Sequence, residues 1–230
     1  DASRALLASV PLAPVPGEIF ASLSEAIAAW QAQPAGCVGL IAVMDSSSYV
    51  EDLTGASRIE VPEGSRLTII AADWPEVPVP NGLPSELRRN IGRIDPDRRR
   101  PHLRGKIEVA GTAPAASETP GELMLNGLLI EGSLAVESGN LGRLRLSDVT
   151  LTPPTSALSV AAGNVQLELE LRRTVCGPVT GAGELAGVSV IDSILEAADL
   201  AIEASASSLW LERSTLFGRV RALRLEASEF

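Results

Sequence analysis

From residue 123 onward, aliphatic and polar positions recur in one eight-residue pattern. It reads LMLNGLLI at 123–130, LRLSDVTL at 144–151, LELRRTVC at 169–176, VSVIDSIL at 188–195, LWLERSTL at 209–216 and LRLEASEF at 223–230. The first and third positions of each copy are aliphatic, the alternation of a strand with one buried face. The fourth to sixth are mostly small or polar, and the eighth is apolar again, one place out of phase. A phase break at the same place in six copies marks a corner where the backbone turns and re-aims its side chains. The copies start about 20 residues apart, within the period of repeat architectures.

A short strand, a corner, a second short strand and a return at that period predict an all-β fold. The specific expectation is a right-handed, single-stranded parallel β-helix, with like side chains stacked from rung to rung about 4.8 Å apart. One inward column is predicted to hold Leu123, Leu144, Leu169, Val188, Leu209 and Leu223, and the next Leu125, Leu146, Leu171, Val190, Leu211 and Leu225. A third, past the corner, holds Ile130, Leu151, Cys176, Leu195, Leu216 and Phe230. The sixth position, running Leu128, Val149, Thr174, Ser193, Ser214 and Ser228, is expected inward, with hydroxyls bonding backbone or each other. The apolar runs SLAVES, ALSVAAG and DLAIEAS supply the remaining strands. A β-sandwich also has many short strands, but it does not require one phase break at a fixed period, and Asn-Gly hairpin signals are few.

Upstream, residues 1–36 form an N-terminal extension and a capping α-helix. Leu23, Ile27 and Trp30 recur at helical spacing over about 22–33, Ser22 or Ser24 can cap the start, and Pro34 with Gly36 ends the helix. Residues 1–17 are expected to be extended. Residues 37–230 form the β-helix, with strands at 40–44, RIEV and RLTIIAA, interrupted by a Pro- and Arg-rich segment at 74–101. That segment holds six prolines and no clear strand, with one helical turn expected near SELRRNIG. It reads as a long loop inserted between coils. The chain starts without Met and stops at the last position of a copy, so it is expected to be part of a longer polypeptide.

Aromatics are 3% of the chain, so aliphatic residues and Ala fill a narrow interior. The net charge of −10 argues against nucleic acid, which needs a basic face. One Lys against eighteen Arg, with abundant Ala, fits a high-GC bacterial source. No run has the length of a membrane span, and ALLASVPLAPVPG lacks the basic leader of a signal peptide. The expected location is the cytoplasm or an assembled particle.

Candidate chemistry is sparse. Cys37 and Cys176 are too few and too far apart for a metal site. His102 is the only histidine, and nothing in the sequence pairs it with a nucleophile. Asp45, Glu51 and Asp52 in DSSSYVED fit a turn as well as a metal site. At the corner, Asp148 and Asp192 alternate with Arg173 and Arg213, which predicts solvated turns joined by weak cross-coil ion pairs. No catalytic residue, metal or cofactor is assigned. Seven of the eighteen arginines fall between Arg88 and Arg104. Arg88, Arg89, Arg93, Arg98, Arg99 and Arg100 are the candidate partner-binding residues, since Arg forks favour carboxylates.

The opening, FASLSEAIAAW followed by GLIAVMDSSSYVEDL, resembles that of pectate-lyase-like right-handed β-helix domains. IEVPEGSRLTIIAAD, RRPHLRG, GELMLNGLLIEGSL, LGRLRLSDVTLTP, VSVIDSIL and LWLERSTLFGRV resemble a set of large uncharacterised bacterial β-helix proteins, some named as phage-tail-like or contractile-injection components. The resemblance implies the fold over about residues 20–230 and carries no catalytic residue with it. The loop between AAD and RRPHL is shorter in those proteins. The function expected is a non-enzymatic scaffold or binding module of a larger bacterial protein, its partners being other subunits or the rest of its own chain. The alternative is a carbohydrate-active or glycan-binding domain.

Overall fold

The computed structural model describes residues 5–9, 18–74, 76–78, 83, 87–89, 98–152 and 157–229. Among them are many strands, one α-helix and one 3-10 turn. Nearly all strand pairing is parallel and falls into three ladders that the chain visits in turn.

The first ladder runs Val38–Val43, Arg66–Ala71, Gly121–Asn126, Leu141–Ser147, Glu168–Arg172, Gly187–Ile191 and then 209–212. The second runs Ser48–Val50, His102–Arg104, Leu129–Glu131, Thr150–Leu151, Val175–Cys176 and then the starts of Ile194–Glu212 and Thr215–Glu229. The third runs Ile59–Val61, Ile107–Gly111, Leu134–Val136, Leu158–Val160 and Val179–Leu185, and it continues within the same two long strands. One strand from each ladder makes a rung.

The register puts like on like. Leu123, Leu144, Leu169, Val188 and Leu209 are successive partners, and so are Leu125, Leu146, Leu171, Val190 and Leu211. Upstream the columns continue through Leu67 and Ile69 to Gly39 and Ile41. Past the corner, Tyr49, Leu103, Ile130 and Leu151 stack in order, and Cys176 stacks on Leu195 and Leu216. Leu123, Leu144, Leu169 and Val190 are all buried in one continuous core.

The last copy departs from the expected columns. Ser228, not Leu223, pairs with Leu209, and Leu225 pairs with Ala206. The reason is chain length. The other copies start 19 to 25 residues apart, but only 14 separate 209 from 223. At Ala222 the chain still pairs with Ala204 on the third ladder, so it has not completed a circuit. Phe230 lies outside the described residues.

The helix α1 spans Leu23–Gln31, shorter at its C-terminal end than the sequence predicts. Its start is capped from both sides: Ser22 Oγ accepts from Glu25 N at 3.2 Å, and Glu25 Oε2 accepts from Ala21 N, just before the cap, at 3.1 Å. Glu51, beyond the first strand of the second ladder, accepts from Leu23 N at 3.0 Å and Ser24 N at 2.9 Å. A carboxylate at the positive helix end thus ties the cap to the first rung. Leu23, Ala26, Ile27 and Trp30 are buried on that rung. The helix does not cap alone. Within the extension expected merely to be extended, Ala5–Ser9 forms a strand that pairs antiparallel with Val38–Val43 and with Glu18–Phe20. It covers the edge that the first rung would otherwise leave unpaired.

The 74–101 segment leaves the first ladder at the corner after Arg66–Ala71 and rejoins at the second ladder. Against the strand-free expectation, it contains Glu76–Pro78 paired antiparallel with Leu87–Arg89. An isolated three-residue pair bounded by prolines has no periodicity to reveal it. The helical turn expected near SELRRNIG overlaps that strand, and the rest of it lies outside the described residues. Trp74, at the root, is buried with Ala42 and Met44 on the outer face of the first ladder.

A Cβ added to Gly39 would lie 2.2 Å from Trp30 Cδ1. Gly39→Ala is therefore expected to unseat Trp30 and cost about 1–3 kcal/mol, as overpacking does. A lowered Tm with a red-shifted tryptophan emission is the expected readout, and an unchanged Tm would contradict this seating.

Candidate functional site

From the rung of Gly121–Asn126 onward, each rung turns through two residues between the first and second ladders. The first takes positive φ: Gly127 (73°), Asp148 (55°), Arg173 (47°), Asp192 (51°) and Arg213 (46°). Its amide still bonds the next rung, as Asp148 N does to Arg172 O and Arg173 N to Ile191 O, both at 3.0 Å. The left-handed backbone re-aims the side chains and produces the phase break in the sequence. The second turn residue points inward. Thr174 Oγ1 bonds Leu146 O and Arg172 O, Ser193 Oγ bonds Leu171 O and Ile191 O, and Ser214 Oγ bonds Val190 O and Glu212 O. Thr174 N and Ser193 N donate in turn to the hydroxyls of Ser193 and Ser214. This is the predicted hydroxyl column, with Leu128 and Val149 as its apolar members.

On the outside of the corner, charges alternate along the stack. Arg173 forks onto Asp148 with both bonds at 2.7 Å, and Arg213 forks onto Asp192 at 2.6 and 3.0 Å. The hydrogen bonds from these guanidiniums hold both carboxyls below their ordinary value of 3.8 and raise Arg173 and Arg213 in return. These pairs brace the corner and engage both of its aspartates.

The outward face of the first ladder forms one side of a groove of about 640 Å³. The loop Glu118–Thr119–Pro120 walls the other side, held because Thr119 O accepts from Gly64 N at 2.7 Å. Ion pairs run from rung to rung along the floor of the groove and of the hollows beside it. Arg66 meets Glu122 at 3.4 Å, Arg143 Nε bonds Glu168 at 3.1 Å, and Arg145 Nε bonds Glu170 at 2.8 Å. The bond to Glu168 raises Arg143. Gln166 lines the groove and donates to Ser117 O at 3.0 Å, while its Oε1 is buried with no hydrogen-bond partner among the described residues. Two adjoining hollows extend the groove past Met124 and Arg145 on one side, and past Ser189 to half-exposed Trp210 on the other. The floor residues share the repeat's spacing, Glu122, Arg143 and Glu168 each standing one place before a copy and Met124, Arg145, Glu170, Ser189 and Trp210 at its second position. Sequence reasoning missed the site because it followed only the inward positions, and the wall at Glu118–Pro120 belongs to no copy.

Of the candidate partner-binding arginines, Arg88 and Arg89 lie on the strand Leu87–Arg89, and Arg93 lies outside the described residues. Arg98 has a positive φ of 56°. Arg99 reaches Asp73 at 3.4 Å, and Arg100 N bonds Ser46 Oγ at 3.0 Å. The end of the cluster is thus pinned beside the first rungs. The carboxylates of DSSSYVED are each engaged. Asp45 accepts from Ser47 N and Tyr49 OH, Glu51 caps α1, and Asp52 accepts from Lys106 N. Among the described residues, no group of three or more His, Cys, Asp or Glu is placed to hold a metal ion, and no helix is long and apolar enough to cross a membrane. Cys176 is buried in its column, and burial pushes its thiol up to about 12.

A carboxyl whose folded value is depressed adds stability above its unfolded value, and that addition disappears as pH falls through the folded value. Asp148→Asn with Asp192→Asn is therefore expected to lower stability at neutral pH. The difference from wild type should begin to shrink as pH drops below about 4 and vanish only below the depressed folded values, in urea denaturation series across pH. A difference independent of pH would contradict the ion-pair role.

No family model, curated protein or solved structure matches the chain.

Proposed function

We propose that the chain is a right-handed, single-stranded parallel β-helix acting as a rigid scaffold or binding module of a larger bacterial protein. One observation carries this reading: three ladders of parallel strands visited in turn, the first of them keeping its buried side chains in stacked register from rung to rung. Parallel strands in one sheet are joined by right-handed crossovers in about 98% of cases, which supports the hand. Such a stack resists bending because every rung is hydrogen-bonded to its neighbours along three lines.

The arginines at 98–100 supply the contact to an acidic partner, a second subunit or the rest of the same polypeptide. Arg98 and Arg100 are exposed on an acidic body while Arg99 is half-buried against Asp73, and Arg forks pair well with carboxylates.

A second reading, a glycan-binding face, is favoured by the groove. It presents Glu118, Glu122 and Glu168 with Arg66 and Arg143, the buried acceptor of Gln166 and, farther along, the Trp210 ring. Sugar hydroxyls suit such mixed donors and acceptors. Glu122 and Glu168 are each bonded to an arginine, which favours binding over cleavage.

Replacing Arg98, Arg99 and Arg100 with Ser is expected to change the oligomer mass in light scattering without changing the far-UV spectrum. An unchanged mass would count against assembly through these residues. Retention on a glycan array that Arg143→Ala abolishes would assign the groove to sugar instead.

A further inference from the structure

The lone histidine gains in the folded chain the neighbours it lacks in sequence. Ser48, His102 and Glu131 stand on three successive strands of the second ladder, where backbone pairing sets Ser48 beside His102 and Arg104 beside Glu131. The intervening Tyr49, Leu103 and Ile130 are buried, so alternation turns Ser48, His102 and Glu131 outward. There Ser48 Oγ lies 3.3 Å from His102 Nδ1. His102 Nε2 lies 3.1 Å from Glu131 Oε2, which also lies 3.0 Å from Arg104 Nε.

An ionised carboxylate only accepts hydrogen bonds. Facing Nε2, Glu131 keeps the proton of the neutral ring on that nitrogen and leaves the Nδ1 lone pair toward the serine hydroxyl. We propose that these residues form a surface acyl-transfer relay for small esters, with Ser48 as nucleophile and His102 as general base. Glu131 is a positioning residue. The two ring nitrogens exchange the roles they have in serine proteases, while the chain of contacts is the same.

In the first step Ser48 Oγ bonds to the acyl carbon as its proton passes to Nδ1. The bond from acyl carbon to alcohol oxygen breaks, and the alcohol leaves with that proton. Water then attacks the acyl-serine, one of its protons passes through Nδ1 to the serine oxygen, and the carboxylic acid departs. Arg104, diagonal to Ser48 on the same face, is the cation offered to the oxyanion that develops in each step. Exposed Val50 and half-buried Leu129 flank the site, which suits an apolar acyl group.

This inference departs from the non-enzymatic expectation and does not depend on the scaffold reading. Light scattering tests assembly, whereas the experiment here reads one serine. The full chain is treated with a fluorophosphonate probe and the adduct located by peptide mass spectrometry, with matched thermal melts for every variant. The expected result is an adduct on Ser48 that Ser48→Ala removes and His102→Ala slows by roughly 10²-fold. Glu131→Gln, which keeps an acceptor for Nε2–H, should retain more of the rate than Glu131→Ala. Absence of an adduct on Ser48 in the wild-type chain, or equal labelling of His102→Ala, would overturn the relay. Equal rates for the two Glu131 variants would overturn its positioning role.

Discussion

Parallel backbone pairing between successive rungs is the constraint from which the rest of this structure follows. It places each residue directly over its counterpart one circuit earlier, so a side chain that fits once must fit again at each step. Leucine over leucine in the first ladder and hydroxyl over hydroxyl at the corner satisfy that demand in different ways. Alternating charge satisfies it outside, because like charges stacked about 4.8 Å apart would repel. Asp148, Arg173, Asp192 and Arg213 follow that rule along the corner, and the Arg–Glu pairs of the first ladder follow it across the groove floor.

The same constraint makes outward residues far apart in sequence into rigid neighbours. Ser48 and His102 are 54 positions apart yet adjacent in space. Neither depends on a mobile loop for its place, since each is held by a strand with buried residues beside it. The groove is built the same way, with one wall added by the loop before Gly121. A fold of this kind can therefore carry separate surface sites on different faces without changing its core.

Much of the interior was legible in the sequence. The aliphatic pair at positions one and three, the corner and the inward hydroxyls of Thr174, Ser193 and Ser214 all follow from repetition, which samples one local geometry several times. The last copy misled because its motif recurs before the chain has gone round. Local likeness between Leu223 and Leu209 does not encode circuit length. The hairpin at 76–89 and the strand Ala5–Ser9 were invisible because each occurs once and is stabilised by pairing rather than by pattern. The groove floor was legible in principle, since Glu122, Arg143 and Glu168 keep one position relative to the copies, but its wall at Glu118–Pro120 lies outside the repeat. The Ser48, His102 and Glu131 cluster was illegible because its members share no spacing, and only the register, counted across the 74–101 insertion, brings them together.

The central claim, rung-on-rung register across the insertion, is tested most directly by a distance. Thr68, Met124, Arg145, Glu170, Ser189 and Trp210 are successive partners on the outer face of the first ladder. Spin labels at positions 68 and 210 should report five rung steps, roughly 24 Å between backbones and a narrow distribution. A broad distribution, or one centred far from that value, would contradict the stacked architecture.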